Sequence, residues 1–291
     1  MSAPIPHLPA PVRDARPAAP ARGLSIWLAP PEAAGAFEVS KLNEADWRRW
    51  LSLSNEQRRE DFAVSRALLG RVSPRANDVS SLSHSSGHAA ICLGPAGCRV
   101  GVDVEWHRTR DVIAIARFAF DAEELAALEA AASPQREQLF YAMWVFKEAA
   151  AKALRLDLPD ALRGCVLVPR PDGRTGVVPT DEPWAAWIYQ PRPGLSLAAI
   201  QVGGAPEREP LCGEWTESTV SWPAVARAGS AYSPSASTCN EPGFFDNHRL
   251  AANCCPQHDG CITGSPQLRR SGPYRNAKPL SSLAKNRASK N

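Results

Sequence analysis

Two short stretches hold the residues best suited to chemistry. Val100-Gly101-Val102-Asp103-Val104-Glu105 reads as a strand, in which alternate residues share a face. Asp103 and Glu105 then point one way, while Val102 and Val104 enter a core. Two carboxylates side by side repel each other unless a cation lies between them. Hard divalent ions favour such oxygen ligands, and Mg²⁺ typically takes one or two carboxylates, waters and substrate phosphates. About forty residues later, the stretch from Trp144 through Lys147-Glu148 to Lys152-Ala153-Leu154 reads as a helix. Glu148 and Lys152 are i,i+4 neighbours there, with Trp144 one turn earlier on the same face. Three acids and a lysine on two rigid elements suit a magnesium ion holding a phosphorylated ligand. Taken singly, each stretch also fits a plainer use: a solvated strand face, or a surface ion pair worth a few tenths of a kcal/mol.

The elements that must position these residues follow from periodicity and turn signals. Leu24 to Leu28 reads as a first strand before Pro30-Pro31. Trp47, Trp50 and Leu51 mark an amphipathic helix over Glu44–Leu53, and Ser54–Gly70 is a second helix, with Ser54 and Gln57 as a capping box and Gly70 as its C-cap. Residues 71–80 read as a loop. Ser81 to His88 leads into a buried strand, Ala89 to Leu93, and Gly94-Pro95-Ala96-Gly97 turns the chain towards the acidic strand, predicting a β-hairpin. Asp111–Phe120 is helical, and Asp121 with Glu124 forms a capping box for a helix over Ala122–Ala132. Ser133-Pro134 opens the long helix, whose Leu139, Met143, Phe146, Ala150 and Ala153 form a core-facing stripe. Residues 166–168, 184–189 and 195–202 read as closing strands.

Bulk composition narrows the classes. The chain has 291 residues, 44% of them apolar, enough for a sizeable core. Residues 1–22 are rich in Pro, Ala and Arg and read as disordered, and no periodic pattern survives past Gly204, so 206–291 reads as a non-globular tail. The 10 basic and 7 acidic residues after position 205, out of 33 and 30, leave 23 of each before it. A neutral body argues against a phosphate-backbone footprint and so against nucleic acid as the partner. No apolar run is long enough for a membrane span or a secretory signal, which predicts a cytoplasmic protein. Without export, eight cysteines are no sign of disulfides. The tail groups His248, Cys254, Cys255, His258 and Cys261, but an adjacent cysteine pair is a poor start for a zinc site.

The order apolar-Gly-apolar-Asp-apolar-Glu, then Trp-x-x-Lys-Glu-Ala-x-x-Lys-Ala, resembles the 4′-phosphopantetheinyl transferase superfamily, in particular its single-chain, two-lobed type that activates peptide synthetases. Leu82-Ser83-His84-Ser85 is similar to the family's Leu-Ser-His-Ser segment, Ser65 to Gly70 to the end of its arginine-bearing helix, and Phe120 to Leu125 to its acidic helix start. The resemblance runs from about Leu24 to Val202. It implies an α/β fold of two similar lobes related by a pseudo-twofold, at about 23–97 and 98–205, with the site in the cleft between them. It implies transfer of 4′-phosphopantetheine from coenzyme A to a serine of an acyl or peptidyl carrier protein by a monomer. It implies Asp103, Glu105 and Glu148 as Mg²⁺ ligands, Lys152 as a charge on the phosphates, and Glu148 or Glu124 as the base that takes the serine proton. Arg66, His84 and Ser83, with Arg58 and Lys147, would grip coenzyme A.

Three features depart from the family pattern. About a dozen residues separate Gly70 from Ser83, where family members carry a longer segment with a Gly-Lys-Pro-like loop. Gln57 and Glu60 stand where relatives have lysines, and Val145 follows the motif tryptophan in place of a small residue. These keep open a non-catalytic coenzyme A-binding relative. Another Mg²⁺-dependent phosphate enzyme is the further alternative.

Overall fold

The computed structural model describes residues 23–74, 78–168, 175–204, 209–216 and 219–229. The expectations for residues 1–22 and for the His248–Cys261 cluster lie outside these residues. Strand β1 (Ser25–Ala29) leads through 3₁₀ turns into helices α1 (Glu44–Ser52) and α2 (Glu56–Val72), then strands β2 (Val79–Ser85) and β3 (His88–Gly94). The second half runs β4 (Arg99–Trp106), α3 (Val112–Ala119), α4 (Ala122–Ala130), α5 (Ser133–Leu154), α6 (Leu158–Gly164), β5 (Trp184–Arg192) and β6 (Leu195–Val202). Two short strands follow, β7 (Leu211–Glu214) and β8 (Ala224–Gly229).

Each half repeats one plan: a strand, helices, then a hairpin whose last strand inserts beside the first. This gives sheet orders β2-β3-β1-β7 and β4-β6-β5-β8. The expected α/β fold with two similar lobes is what the chain forms. Alternation along the strands fixes the layers. Ile26 and Leu28 join Val100, Val102 and Val104 in a core shared by the two sheets. Trp27 and Ala29 pack with Val64 and Leu68 of α2 on the outer side of the first sheet. Ala149, Ala150 and Ala153 of α5 pack with Ala198 and Ile200 on the outer side of the second. The order is thus helix, sheet, sheet, helix.

Several expectations need correction. The predicted hairpin between residues 89–93 and 99–105 does not form. Strand β3 already pairs with β1 and β2 along its two edges, so the turn at Gly94–Gly97 passes the chain to the other sheet, where β4 pairs with β6. A turn signal says that the chain reverses, not which strand it then meets. The α2 cap is Asn55, whose side chain accepts from the Arg58 N–H, in place of Ser54, and the helix passes Gly70 to end at Ser73 in the left-handed region. Val166 makes only an isolated bridge with Val177. The folded body does not stop at 205. β7 lies parallel to β1 and β8 antiparallel to β5. β7 is only four residues long and β8 is mostly Ala and Gly, so they carry little periodic signal. Gly213 is required because a Cβ there would lie 2.3 Å from the Trp27 ring. Among the described residues no helix is long and apolar enough to cross a membrane.

Candidate active site at the seam of two sheets

Strand β2 is an edge of the first sheet and β4 an edge of the second, and they run side by side. Side-chain hydroxyls bridge the gap between them. Ser81, Ser83 and Ser85 share one face of β2 by strand alternation. Ser81 Oγ accepts from the Val102 N–H at 3.1 Å. Ser83 Oγ donates to Asp103 Oδ1 at 2.7 Å. Ser85 Oγ donates to Glu105 Oε2 at 2.8 Å and accepts from the Trp106 N–H at 3.3 Å. The turn of the β2–β3 hairpin places Ser86 and Gly87 at positive φ, 49° and 79°.

Helix α5 rests against the other side of β4. It does so on bare backbone: a Cβ on Gly101 would lie 1.9 Å from the Ala149 carbonyl oxygen and 2.8 Å from the Ala153 nitrogen. The close approach brings Glu148 and Lys152 to the strand acids. Lys152 Nζ donates to Asp103 Oδ1 at 2.8 Å and to the Val102 carbonyl at 2.9 Å. Ser83 and Lys152 thus donate to the same carboxylate oxygen. The other, Oδ2, is buried and has no hydrogen-bond partner.

Burial pushes the pKa of Asp103 up despite the attraction of Lys152 and the bonds from Lys152 and Ser83. Glu105 is also pushed up, by burial and against the Ser85 bond. Glu148 rises to about 7, first through burial and then through the Asp103 charge, with Glu105 adding and Lys152 opposing. The Asp103 charge raises Glu105 and Glu148, and Glu105 raises Glu148 further; with one bare buried oxygen, these acids make a site short of positive charge. Among the described residues no group of three His, Cys, Asp or Glu side chains is arranged to hold a metal ion unaided. The donor set instead fits an ion that keeps waters and takes substrate phosphate, which is how Mg²⁺ is usually bound. Beside the acids lies an open cavity of about 420 Å³, lined by Glu148, Ala151, Lys152, Arg155, Leu156 and Leu158. Its lining combines one carboxylate, two cations and two leucines.

The residues expected to grip coenzyme A divide. His84 faces away from the serine side of β2, with Nδ1 3.8 Å from Asp61 Oδ2, and burial lowers its pKa below the usual imidazole value. Arg66 is committed to Asp46 of α1 at 2.5 Å and lies over the Phe62 ring at 4.5 Å, while its buried Nε has no hydrogen-bond partner. Arg58 is exposed on the first turn of α2. Gln57 Nε2, in one of the lysine slots, donates to Glu60 and Asp61 at 3.2 and 3.3 Å. Ser83 is buried and its hydroxyl proton is directed at Asp103, so it acts on a metal-ligand candidate and not outward on a nucleotide.

Two expectations are corrected outright. Lys147 and Glu124 are both fully buried and paired with each other at 2.7 Å. Lys147 also donates to the carbonyls of Leu162 and Cys165. Glu124 accepts from the N–H groups of Leu167 and Asp121, the latter closing the capping box of α4. With every partner internal, Lys147 is not a coenzyme A ligand and Glu124 is not a base open to an incoming hydroxyl. Helical spacing explains the error: Lys147 precedes Glu148 and so points about 100° away from it.

Sequence reasoning assigned no role to Asp61, although its Oδ1 accepts from the Gly87 N–H at 2.6 Å and anchors the turn next to His84. It also passed over Ser81 and Ser85 as a ladder, whose signal was the period-two spacing of serines. Trp144, read as a face marker, hydrogen-bonds Glu148.

No curated protein matches the chain. The sequence model of the 4′-phosphopantetheinyl transferase superfamily matches residues 99–199, about a third of the chain. That span opens with β4, includes α5 and ends within β6, so it carries Asp103, Glu105, Glu148 and Lys152 together. Over residues 99–199 the chain is thus similar to the 4′-phosphopantetheinyl transferase superfamily, and the likeness includes all four of these residues.

Proposed function

We propose that this protein transfers the 4′-phosphopantetheine group of coenzyme A to a serine hydroxyl of an acyl or peptidyl carrier protein, with Mg²⁺, as a single-chain enzyme of the two-lobed type that activates peptide synthetases. The observation that carries the reading is the bare, buried Oδ2 of Asp103 beside Glu105 and Glu148. Asp103, Glu105 and Glu148 would hold the ion, which when bound neutralises charge on the pyrophosphate and its leaving oxygen. Lys152, which lines the cavity, would add a point charge to the phosphates. The serine oxygen forms a bond to the β-phosphorus, and the bond from that phosphorus to the bridging oxygen breaks. The second product is 3′,5′-adenosine bisphosphate. Glu148 would take the serine proton directly or through a water. Arg66 and His84 would hold the 3′-phosphate, Arg66 after leaving Asp46. The enzyme works as a monomer in the cytoplasm.

A second reading, a coenzyme A-binding relative without transferase activity, draws on the short link between α2 and β2 and on the commitment of Arg66 to Asp46. One experiment separates the two. The protein is incubated with coenzyme A, MgCl₂ and apo carrier proteins, and the carriers are weighed by mass spectrometry. A gain of about 340 Da, the mass of the transferred group, is expected. Retained coenzyme A binding with no gain on any carrier would establish the second reading instead.

A further inference from the structure

Strand β2 gives its odd-numbered serines to β4 and its even-numbered His84 to the opposite side. We infer that Ser83 and Ser85 are positioning residues for the metal-ligand carboxylates, acting through Asp103 and Glu105 and not on substrate. The inference rests on the proposed reading of Asp103 and Glu105 as ligands of a divalent cation.

The geometry argues for positioning over simple seam-filling. The Ser83 hydroxyl has one proton, and it is given to Asp103 Oδ1, the same oxygen that Lys152 uses. Two donors on one oxygen restrain the carboxylate and leave Oδ2 buried without a hydrogen-bond partner. Ser85 does the matching task on Glu105 by taking Oε2. Ser81 stands one step earlier on the same face but meets the Val102 N–H, a backbone donor and no carboxylate. The three serines therefore share one structural role, bridging two sheet edges, while only two of them touch acids. Side chains that orient metal ligands in this way typically change metal affinity by ~10–100-fold when removed.

That division sets the test. The full chain is titrated with MnCl₂, a cation that suits the same oxygen ligands, and free Mn²⁺ is followed by electron paramagnetic resonance. The variants are Ser81→Ala, Ser83→Ala, Ser85→Ala and Asp103→Asn. Ser83→Ala and Ser85→Ala are each expected to raise the Mn²⁺ Kd ~10–100-fold, while Ser81→Ala stays within about twofold of the parent. If Ser83→Ala does not fold, the comparison of Ser85→Ala with Ser81→Ala decides the matter. Equal shifts for all three serines, or unchanged Kd in Ser83→Ala and Ser85→Ala beside lost binding in Asp103→Asn, would overturn the inference and leave the metal reading standing. Unchanged Kd in Asp103→Asn would overturn the metal reading and the inference with it.

Discussion

Helix α5 carries two lysines that each meet a carboxylate, Lys147 on Glu124 and Lys152 on Asp103, and the two pairs have opposite characters. At the first, both side chains are fully buried, and every oxygen and the ammonium have further partners in backbone groups. At the second, Lys152 is about a third exposed, and one carboxylate oxygen is buried without a partner. Burial pushes Lys147 down and Glu124 up, against their mutual attraction, and the closed bond network holds the pair together. The pair ties α4, α5 and the end of α6 into one block. What distinguishes structure from function at these two pairs is not the ion pair itself but whether its hydrogen-bonding capacity is used up.

The sharpest way to break this contrast is to remove one acid from the open cluster. Glu148→Ala is expected to lower carrier modification on the order of 10³-fold or more, because the proposed metal ligand and proton acceptor go together. It should leave the protein folded, since the change also removes a repelling charge. Steady-state mass-spectrometric rates beside a urea titration check both halves. Retained activity would undo the assignment of Glu148.

The opposite pattern is expected at the closed pair. Lys147→Met leaves Glu124 buried without its cation and should cost about 3–5 kcal/mol of stability, read from urea unfolding. Replacing both partners, Lys147→Met with Glu124→Leu, should restore much of that loss. A Lys147→Met protein with parental stability and lost coenzyme A affinity would reverse the roles of the two lysines.

The smallest effect is a pH dependence at the open cluster. A carboxyl whose folded pKa of about 7 exceeds its ordinary 4.5 binds protons more tightly in the folded state. The metal-free protein therefore loses the stability contributed by Glu148 as pH rises from about 4.5 through 7. Mn²⁺ affinity should move the other way and strengthen over the same interval, because the ligand must ionise to bind. Glu148→Gln should flatten both curves. Curves unchanged by that substitution would assign the titration to another group.

Much of this was legible in the chain because strand and helix periods are strict. Alternation placed Asp103 and Glu105 on one face, and the i,i+4 step placed Glu148 with Lys152. The capping box at Asp121 and Glu124 could be read directly, and it is the cap that draws Glu124 inward. Three things were not legible. Which strand β4 would pair with depends on edges already taken by β1 and β2, a property of the whole sheet. The burial of Lys147 depends on α4 and α6 closing over it, and residue type argues the other way, since lysines are rarely fully buried. The capture of Arg66 by Asp46, twenty positions earlier, joins two helices whose packing no local pattern reports.

Gly101 also bears on how such a site can vary between proteins. Because α5 touches β4 through main chain alone at that point, the gauge between the strand acids and the helix acid is set by backbone thickness, which no change of side chain elsewhere can tune. The cavity walls at Leu156 and Leu158 belong to a separate part of the chain, beyond the end of α5. The Leu156 and Leu158 walls can thus change without touching this contact, whereas the closeness of α5 to β4 depends on the one residue in the motif that has no side chain.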